Sequence, residues 1–594
     1  MILQALARYY DDLLQQGKIS APGWTKVKIS YALDIGLDGQ LKQVVSILKE
    51  EPMGKKTVQR PQEIALPAPV GRSSLKVASN FLWDNSGYLL GIKKNEKPER
   101  SLKCFQNARE LHHALLDGVD SPAAKAILNF FDTWEPEKAA QHPDLSKEIE
   151  NVTAGGNLLF RVDNSFVQDD PLIQEAWNRV QGETDENAVK MQCLVTGRED
   201  EIARTHPLIK GVQGAQMAGA ALVTFNGNAF CSYGHEQNYN APVGKHAAFA
   251  YTAALNYLLS DRNSVQHIGD TTVVCWAEGA EEAYQNLAQF ALFGQEMPGL
   301  TDNDLRAALK RLANGLPCDD LGVDPKRPFY VLGLAPNAAR LSVRFFLHDS
   351  FGKLMKNVND HYDRMEIVRP SFDKQEILPL WLMLRETVNL NSRDKSPSPA
   401  MAGATVRAVF SGGPYPASLL EAVMLRIHAE TDREGDPEKG RKPTYKITRG
   451  RMAIIKAYYL KNPHPDCPKE VLTVSLNEAS TNPAYVLGRL FSVYEAVQRA
   501  GNDKINATIK DKYFNSAAAM PASVFPILNN LYQKHLRKLP PRLRSYFDNQ
   551  VVELKSKLGE SYPARMTLAQ QGAFDLGYYH QRNANPKKEE EKDG

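Results

Sequence analysis

The stretch NPAYVLGRLFSVYEAVQRAG, Asn482 to Gly501, reads as a helix with both ends marked. Asn482 can cap the first free N–H groups, Pro483 suits the first helical position because no N–H is lost there, and Gly501 ends the run. Between them Val486, Leu490, Val493, Tyr494 and Val497 fall on one face. Three more amphipathic helices are expected downstream: Pro521 to Lys538 with Val524, Ile527, Leu528 and Leu531, Pro541 to Leu558 with Leu543, Phe547, Leu554 and Leu558, and Thr567 to Arg582. Strand-like alternation is absent beyond Pro465, and short connections between such helices predict an antiparallel bundle.

Upstream the pattern changes. Val27, Ile29, Tyr31, Leu33 and Ile35 alternate with mostly polar neighbours, and Asp38-Gly39 then offers a tight turn before Leu41 to Leu48, the signature of a β-hairpin. Arg60 to Arg100 reads as loop, short apolar strand, loop, and Leu102 to Trp134 as helices. Leu158 to Phe166 is expected as a strand before a helix at Pro171 to Gly182. ALVTFNGNAFCSYGHEQNYNAPVGKHAAFAYTAALNYLLS, Ala221 to Ser260, is expected as a strand, a polar loop and a helix, while Asp270 to Glu278 and Arg327 to Asp349 read as strands with turns. Two breaker-rich stretches, Asn391 to Gly403 and Thr431 to Thr444, read as solvated loops or linkers.

The predicted fold class is therefore α+β multidomain, a mixed α/β N-terminal region followed by a C-terminal antiparallel helical bundle. A chain of 594 residues, at ~100 to 200 per domain, holds about three to five domains. The expected divisions are 1–388 for the mixed region, 389–473 for a linker and helical connecting region, 474–582 for the bundle and 583–594 for a mixed-charge disordered tail. Hydrophobic residues at 43% and charged residues at 24% exclude wholesale disorder. The net charge of +3 is too small to announce a nucleic-acid partner or to forbid one. Its distribution is more telling: Thr481 to Arg582 holds 14 Lys and Arg against 7 Asp and Glu, a net of +7.

The opening MILQALARYYDDLLQQG is expected as a helix ending at Gly17 rather than a signal peptide, because Arg8, Asp11 and Asp12 interrupt it. No run approaches the ~18 to 20 apolar residues of a membrane span. The six cysteines, Cys104, Cys193, Cys231, Cys275, Cys318 and Cys467, include no CxxC pair, which suits a reducing cytoplasm. Cys231 and Cys275, in apolar strand-like surroundings, are expected to be buried. GDPEKGR, Gly435 to Arg441, lacks the Lys-Ser/Thr ending of a phosphate-binding loop. His348-Asp349, His464 with Cys467, and His112-His113 each lack the further ligands a metal site needs. No catalytic residue, metal site or cofactor is assigned.

Nucleic-acid contact remains. Arg60 to Arg100 sets Arg72, Lys76, Lys93, Lys94 and Lys97 among Ser73, Ser74, Ser79, Asn80, Trp83 and Asn85, a mixture able to meet phosphates through charge and base edges through amides. It equally suits a solvated loop beside a packed strand. The Asn226 to Asn240 loop combines Asn226, Asn228, Tyr233, Gln237, Asn238, Tyr239 and Asn240, types that stack on bases and bond them and that also stabilise ordinary turns.

Six passages carry a family resemblance: NFLWDN (Asn80 to Asn85), CLVTG (Cys193 to Gly197), HPLIKGVQGAQ (His206 to Gln216), LVTFNGNAFCSYGHEQNYNAPV (Leu222 to Val243), FYVLGLAPNAARLSVRFF (Phe329 to Phe346) and NPAYVLGRLF (Asn482 to Phe491). In that order the chain resembles the large subunit of the type I-C, or Dvulg-subtype, CRISPR Cascade surveillance complex. It departs at Gly244-Lys245, where Ser and an acidic residue are expected, and at Cys231, where Glu is common.

The resemblance implies a non-catalytic cytoplasmic protein that recognises the protospacer-adjacent motif in duplex DNA, assists crRNA-guided R-loop formation and recruits the helicase-nuclease. Its implied partners are crRNA, target double-stranded DNA, and the backbone, crRNA-end-capping and small subunits. Asn80, Asn85, Gln237 and Asn240 are then base-edge candidates, with Arg72, Lys76 and Lys93 as phosphate contacts. An RNA-binding scaffold without motif reading and a metal-dependent nuclease are the alternatives. The resemblance also implies that the bundle has a counterpart made separately from an internal start. Met452 and Met520 bracket it poorly, so a codon near Val471 or Val474 is expected instead.

Overall fold

The hairpin expected around Asp38-Gly39 forms, and it organises the first part of the chain. The structure, a computed structural model, describes all residues except 1, 54–55, 71–76, 147, 183–187, 262–264, 296, 437, 439, 503–506 and 585–594. The chain divides into two compact units, Met1–Pro207 with Thr224–Ala254, and Leu208–Val223 with Leu255–Gly594. Residue 388 lies inside the second unit.

In the first unit helix α1 (Ile2–Gln15) precedes β1 (Trp24–Ile29), β2 (Tyr31–Ile35), β3 (Leu41–Ser46), β4 (Lys49–Met53), β5 (Lys56–Arg60), β6 (Gln62–Pro67) and β7 (Trp83–Asp84). Then come α2 (Ser86–Leu89), α3 (Pro98–Leu116), α4 (Pro122–Thr133), α5 (Ile149–Ala154), β8 (Leu158–Val162), β9 (Ser165–Phe166) and α6 (Pro171–Gly182). The main sheet runs β3-β2-β8-β7, with β2 and β8 parallel and β9 paired to β8. Its pleat sends Leu33, Ile35, Leu158 and Phe160 into one core with Phe130 and Phe131 of α4, and Ala32, Leu159 and Trp83 into a second. Both faces are therefore covered.

Three expectations change here. The alternating run through Ile35 is two strands, because the chain switches at Ser30: β1 pairs with β6 while β2 joins the main sheet. Residues 62–67 are strand rather than loop, despite Pro61 and Pro67. The segment after Ala221 forms no strand; Ala221 makes a single bridge to Arg340, and Cys231 is exposed on the loop beyond. The short strands β10 (Lys190–Gln192) and β11 (Glu199–Glu201) and helix α7 (Lys245–Ser260) complete this part.

The second unit holds the antiparallel sheet β12 (Gln266–Ile268), β13 (Thr271–Ala277), β14 (Pro328–Asn337) and β15 (Arg340–Ser350). Around it lie α8 (Glu282–Phe293), α9 (Asp302–Ala313), α10 (Phe351–Met365), α11 (Leu380–Arg385), α12 (Pro399–Ser411), α13 (Ala417–Ala429) and α14 (Arg449–Lys461). The bundle follows as α15 (Pro483–Ala500), α16 (Ile509–Ala519), α17 (Pro521–Leu536), α18 (Pro541–Ser556) and α19 (Leu568–Arg582). Asn482 caps α15 as expected, its side chain accepting from the Tyr485 N–H.

One hydrophobic core runs from Ile268 through Val406, Val423 and Ile454 to Leu490 and Tyr578. Within 389–473, the region read as linker and helical connection, α12, α13 and α14 contribute fully buried residues to this core. Helix α19 presses on α15 at two glycines: a Cβ on Gly488 would meet the Phe574 carbonyl, and one on Gly577 the Tyr485 carbonyl.

Candidate nucleic-acid interface

The Asn80 to Asn85 turn is built around Asp84. Its buried carboxylate accepts the Asn80 N–H at 3.0 Å on Oδ2, and the Asn85 N–H and Nδ2 at 2.8 and 3.0 Å on Oδ1. Asn85 Oδ1 accepts the Gly87 N–H at 3.0 Å and so caps α2. Asn80 Oδ1 accepts the Val70 N–H at 3.0 Å, while its Nδ2 has no acceptor among the described residues. At 1% exposure Asn80 offers no face to solvent as the chain is folded here.

Beside them Leu82 takes a left-handed backbone and donates its N–H to His112 Nε2 at 3.0 Å. His112 Nδ1 lies 2.7 Å from the Ala108 carbonyl, which makes Nδ1 the protonated nitrogen of a neutral ring. Burial pushes this imidazole down to about 4. Lys93 is exposed on the turn after α2. Arg72 and Lys76 lie outside the described residues.

The second loop is stapled by Asn240. Its Oδ1 accepts the Ser232 N–H at 2.8 Å and its Nδ2 donates to the His235 and Gln237 carbonyls at 3.0 and 2.9 Å. Gln237, left-handed, accepts Arg204 Nε at 3.1 Å. The loop so held carries Tyr233 outward at 98% exposure, also on a left-handed backbone. Gln237 and Asn240 share this turn, Asn80 and Asn85 share Asp84, and none of these hydrogen bonds joins one set to the other. Residue types alone did not show that three of the four amides serve the fold of their own loops.

The Gly244-Lys245 departure from the family pattern also finds a setting. The Gly244 N–H donates to Cys193 Sγ at 3.2 Å, a Cβ on Gly244 would strike the Asp200 carboxylate, and Lys245 pairs with Glu201.

In the second unit, sequence reading located the positive charge on the bundle without finding its focus. From Lys534 to Arg544 the chain has five Lys and Arg and no acid, and all five side chains are exposed. Pro540 and Pro541 turn the chain here from α17 into α18. Arg544 Nη2 ties the elbow by donating to the Arg537 and Leu539 carbonyls, each at 3.1 Å, and leaves four cations around it. Such a patch attracts phosphate without reading sequence.

Elsewhere, His348 stacks on Tyr330 at 4.6 Å, and the His464 carbonyl accepts the Cys467 N–H in a tight turn. Burial pushes the Cys467 and Cys275 thiols up to about 12. Among the described residues no group of three His, Cys, Asp or Glu side chains is placed to hold a metal ion, and no helix is long and apolar enough to cross a membrane.

No curated protein matches the chain. The model of the family described as CRISPR-associated protein (Cas_Csd1) matches residues 6–585.

Proposed function

The chain belongs to the Cas_Csd1 family of CRISPR-associated proteins, and from that premise we propose that it is the non-catalytic large subunit of a type I-C Cascade complex. In this reading it works in the cytoplasm with crRNA, the backbone and crRNA-end-capping subunits and small subunits, recognises the protospacer-adjacent motif in duplex DNA, assists R-loop formation and recruits the helicase-nuclease. Base pairing with the guide reads the target, while the protein reads a short motif and grips backbones.

The observation that carries the proposal is the acid-free elbow Lys534 to Arg544, a phosphate-seeking surface on a chain whose total charge is nearly balanced. Lys93 and the exposed Tyr233 loop add a cation and a stacking surface in the first unit.

The test is binding of the assembled complex to duplexes that differ only in the flanking motif. Preference for one motif, lost when this chain is left out, is expected. Equal binding to all duplexes with guide RNA still held would favour the scaffold reading. Metal-dependent cleavage by the pure chain, abolished by a point mutation within it, would overturn the non-catalytic role.

A further inference from the structure

A cleft of about 250 Å³ opens where β12, the end of α8, α11 and the loop after Leu390 meet. Its apolar wall is Ile268, Phe293 and Leu384, all buried. Trp381 stands at its mouth, 49% exposed, an unusual position for the largest apolar side chain. The α8 terminus sets the indole: Gly294 ends that helix in the left-handed conformation, and a Cβ there would sit 3.0 Å from Pro379 and 3.5 Å from Trp381 Nε1.

Among the described residues the charged lining is one-signed: Arg385 and Lys395 are exposed at the rim, neither is in an ion pair, and no Asp or Glu lines the cleft. Burial holds the neighbouring His267 imidazole below its ordinary range, so the positive charge at neutral pH comes from those two side chains. The volume falls below the ~300 to 1,000 Å³ of pockets that enclose drug-sized ligands, which suits one planar group better than a whole cofactor.

We propose that this cleft binds one unpaired nucleotide of a single-stranded nucleic acid, the base stacking on Trp381 and the flanking phosphates meeting Arg385 and Lys395. An aromatic platform beside unpaired cations is the arrangement that holds single strands without reading their sequence. An acidic peptide would use the cations and leave the indole unemployed. The assignment deepens the function proposed above and rests on it only in that the chain meets nucleic acid.

The experiment is fluorescence anisotropy of the full chain with labelled oligothymidine, oligouridine and a duplex of equal length. Trp381→Ala is expected to weaken single-strand binding about tenfold, and Trp381→Phe to keep most of it. The strand that suffers, DNA or RNA, names the source of the nucleotide. Arg385→Gln with Lys395→Gln is expected to flatten the salt dependence by about 1.4 in log–log slope, roughly 0.7 for each phosphate no longer neutralised.

Undiminished binding of both oligonucleotides by Trp381→Ala, or an equal loss on the duplex, overturns the site. If Trp381→Ala folds poorly, photo-crosslinking of iodouracil-substituted strands to the wild-type chain decides: attachment at Trp381 supports the site, and attachment only elsewhere refutes it. Motif preference of the assembled complex should survive Trp381→Ala, so failure of this site and failure of motif reading are told apart.

Discussion

Lys510 Nζ donates to Asp432 Oδ2 at 2.7 Å, joining a bundle helix to the loop between α13 and α14. The lysine side chain is 2% exposed, and burial pulls its ammonium below the ordinary range. Burial works against the charge on Asp432 too, but Lys510 and the Lys446 N–H outweigh it and hold that carboxyl low. The same ammonium lies 5.2 Å over the ring of Tyr578, whose hydroxyl donates to Glu495 Oε2 at 2.5 Å. Removing one partner of a buried ion pair leaves the other charge uncompensated, so Asp432→Ala should cost about 3 kcal/mol in urea unfolding. Adding Lys510→Met should restore part of that loss, and a double-mutant cycle showing no coupling would remove the pair from the account.

The pair also bears on a product beginning near Val474. Such a chain would keep Lys510 without Asp432 and Asp575 without Lys446. It would also uncover Gly572, where a Cβ would stand 3.1 Å from Ile455 and 3.2 Å from Tyr459. Residues 474–582 alone are therefore expected to self-associate or bind a hydrophobic dye, and to melt less sharply than the full chain. A monomer with a sharp melting transition would show that the upstream packing is dispensable. Mass spectrometry of complexes from the native gene then reports whether a product beginning near Val474 is made at all.

Asp575 is fully buried and neither carboxylate oxygen has a hydrogen-bond partner among the described residues. Burial raises this carboxyl well above its ordinary range, and Lys446 and Lys510 offset only part of the rise. A folded value above the unfolded one means stability that is full below the unfolded pKa and lost as pH rises through the folded one. Asp575→Asn removes that ionisation, so it should stabilise the protein by about 1 to 3 kcal/mol above the folded value and flatten the decline with pH. Urea midpoints across the pH range check this. A loss of stability at neutral pH would mean that the carboxylate is charged and serves the two lysines.

Local signals were legible where they were self-contained. Asn482-Pro483 and Gly501 bracket α15, and Asp38-Gly39 marks the β2–β3 turn, because capping and turn chemistry depend on a few adjacent residues. Helix α16 gives little periodic signal because it ends in the run Ala517–Ala519, although Thr508 and Asp511 form a capping box that announces it. Helix α12 is masked by Pro399 and Gly403 within a breaker-rich run, yet Pro399 is the first-turn proline that helices tolerate. The switch at Ser30 and the parallel β2–β8 pairing depend on partners far along the chain, which alternation cannot name. In the candidate interface, composition singled out the loops without showing that Asn80 is buried or that Asn240 is spent on its own loop.

Asn240 and Tyr233 should separate loop structure from contact. Asn240→Ala removes hydrogen bonds to Ser232, His235 and Gln237, each worth about 0.5 to 1.5 kcal/mol net, so amide exchange across residues 228–240 should quicken with little change in global melting. Tyr233→Ala, at a fully exposed side chain, should leave exchange and melting alone and weaken DNA binding by the assembled complex. Unchanged exchange in Asn240→Ala would mean that the backbone holds the loop without it.

The Lys534 to Arg544 elbow makes the sharpest electrostatic forecast. Lys534, Arg537, Lys538 and Arg542 are exposed, whereas Arg544 ties the turn and should be kept. Changing the four to Gln removes charge without disturbing the buried core, so stability should shift by no more than about 0.5 kcal/mol. If each side chain neutralises one phosphate, the slope of log affinity against log salt should fall by about 3, at roughly 0.7 to 0.9 for each phosphate left without its cation. All DNA sequences should be weakened alike, because phosphate contacts position the partner without reading it. An unaltered slope in the quadruple variant would place the nucleic acid elsewhere on the protein, and a change in motif preference would mean that the elbow touches bases.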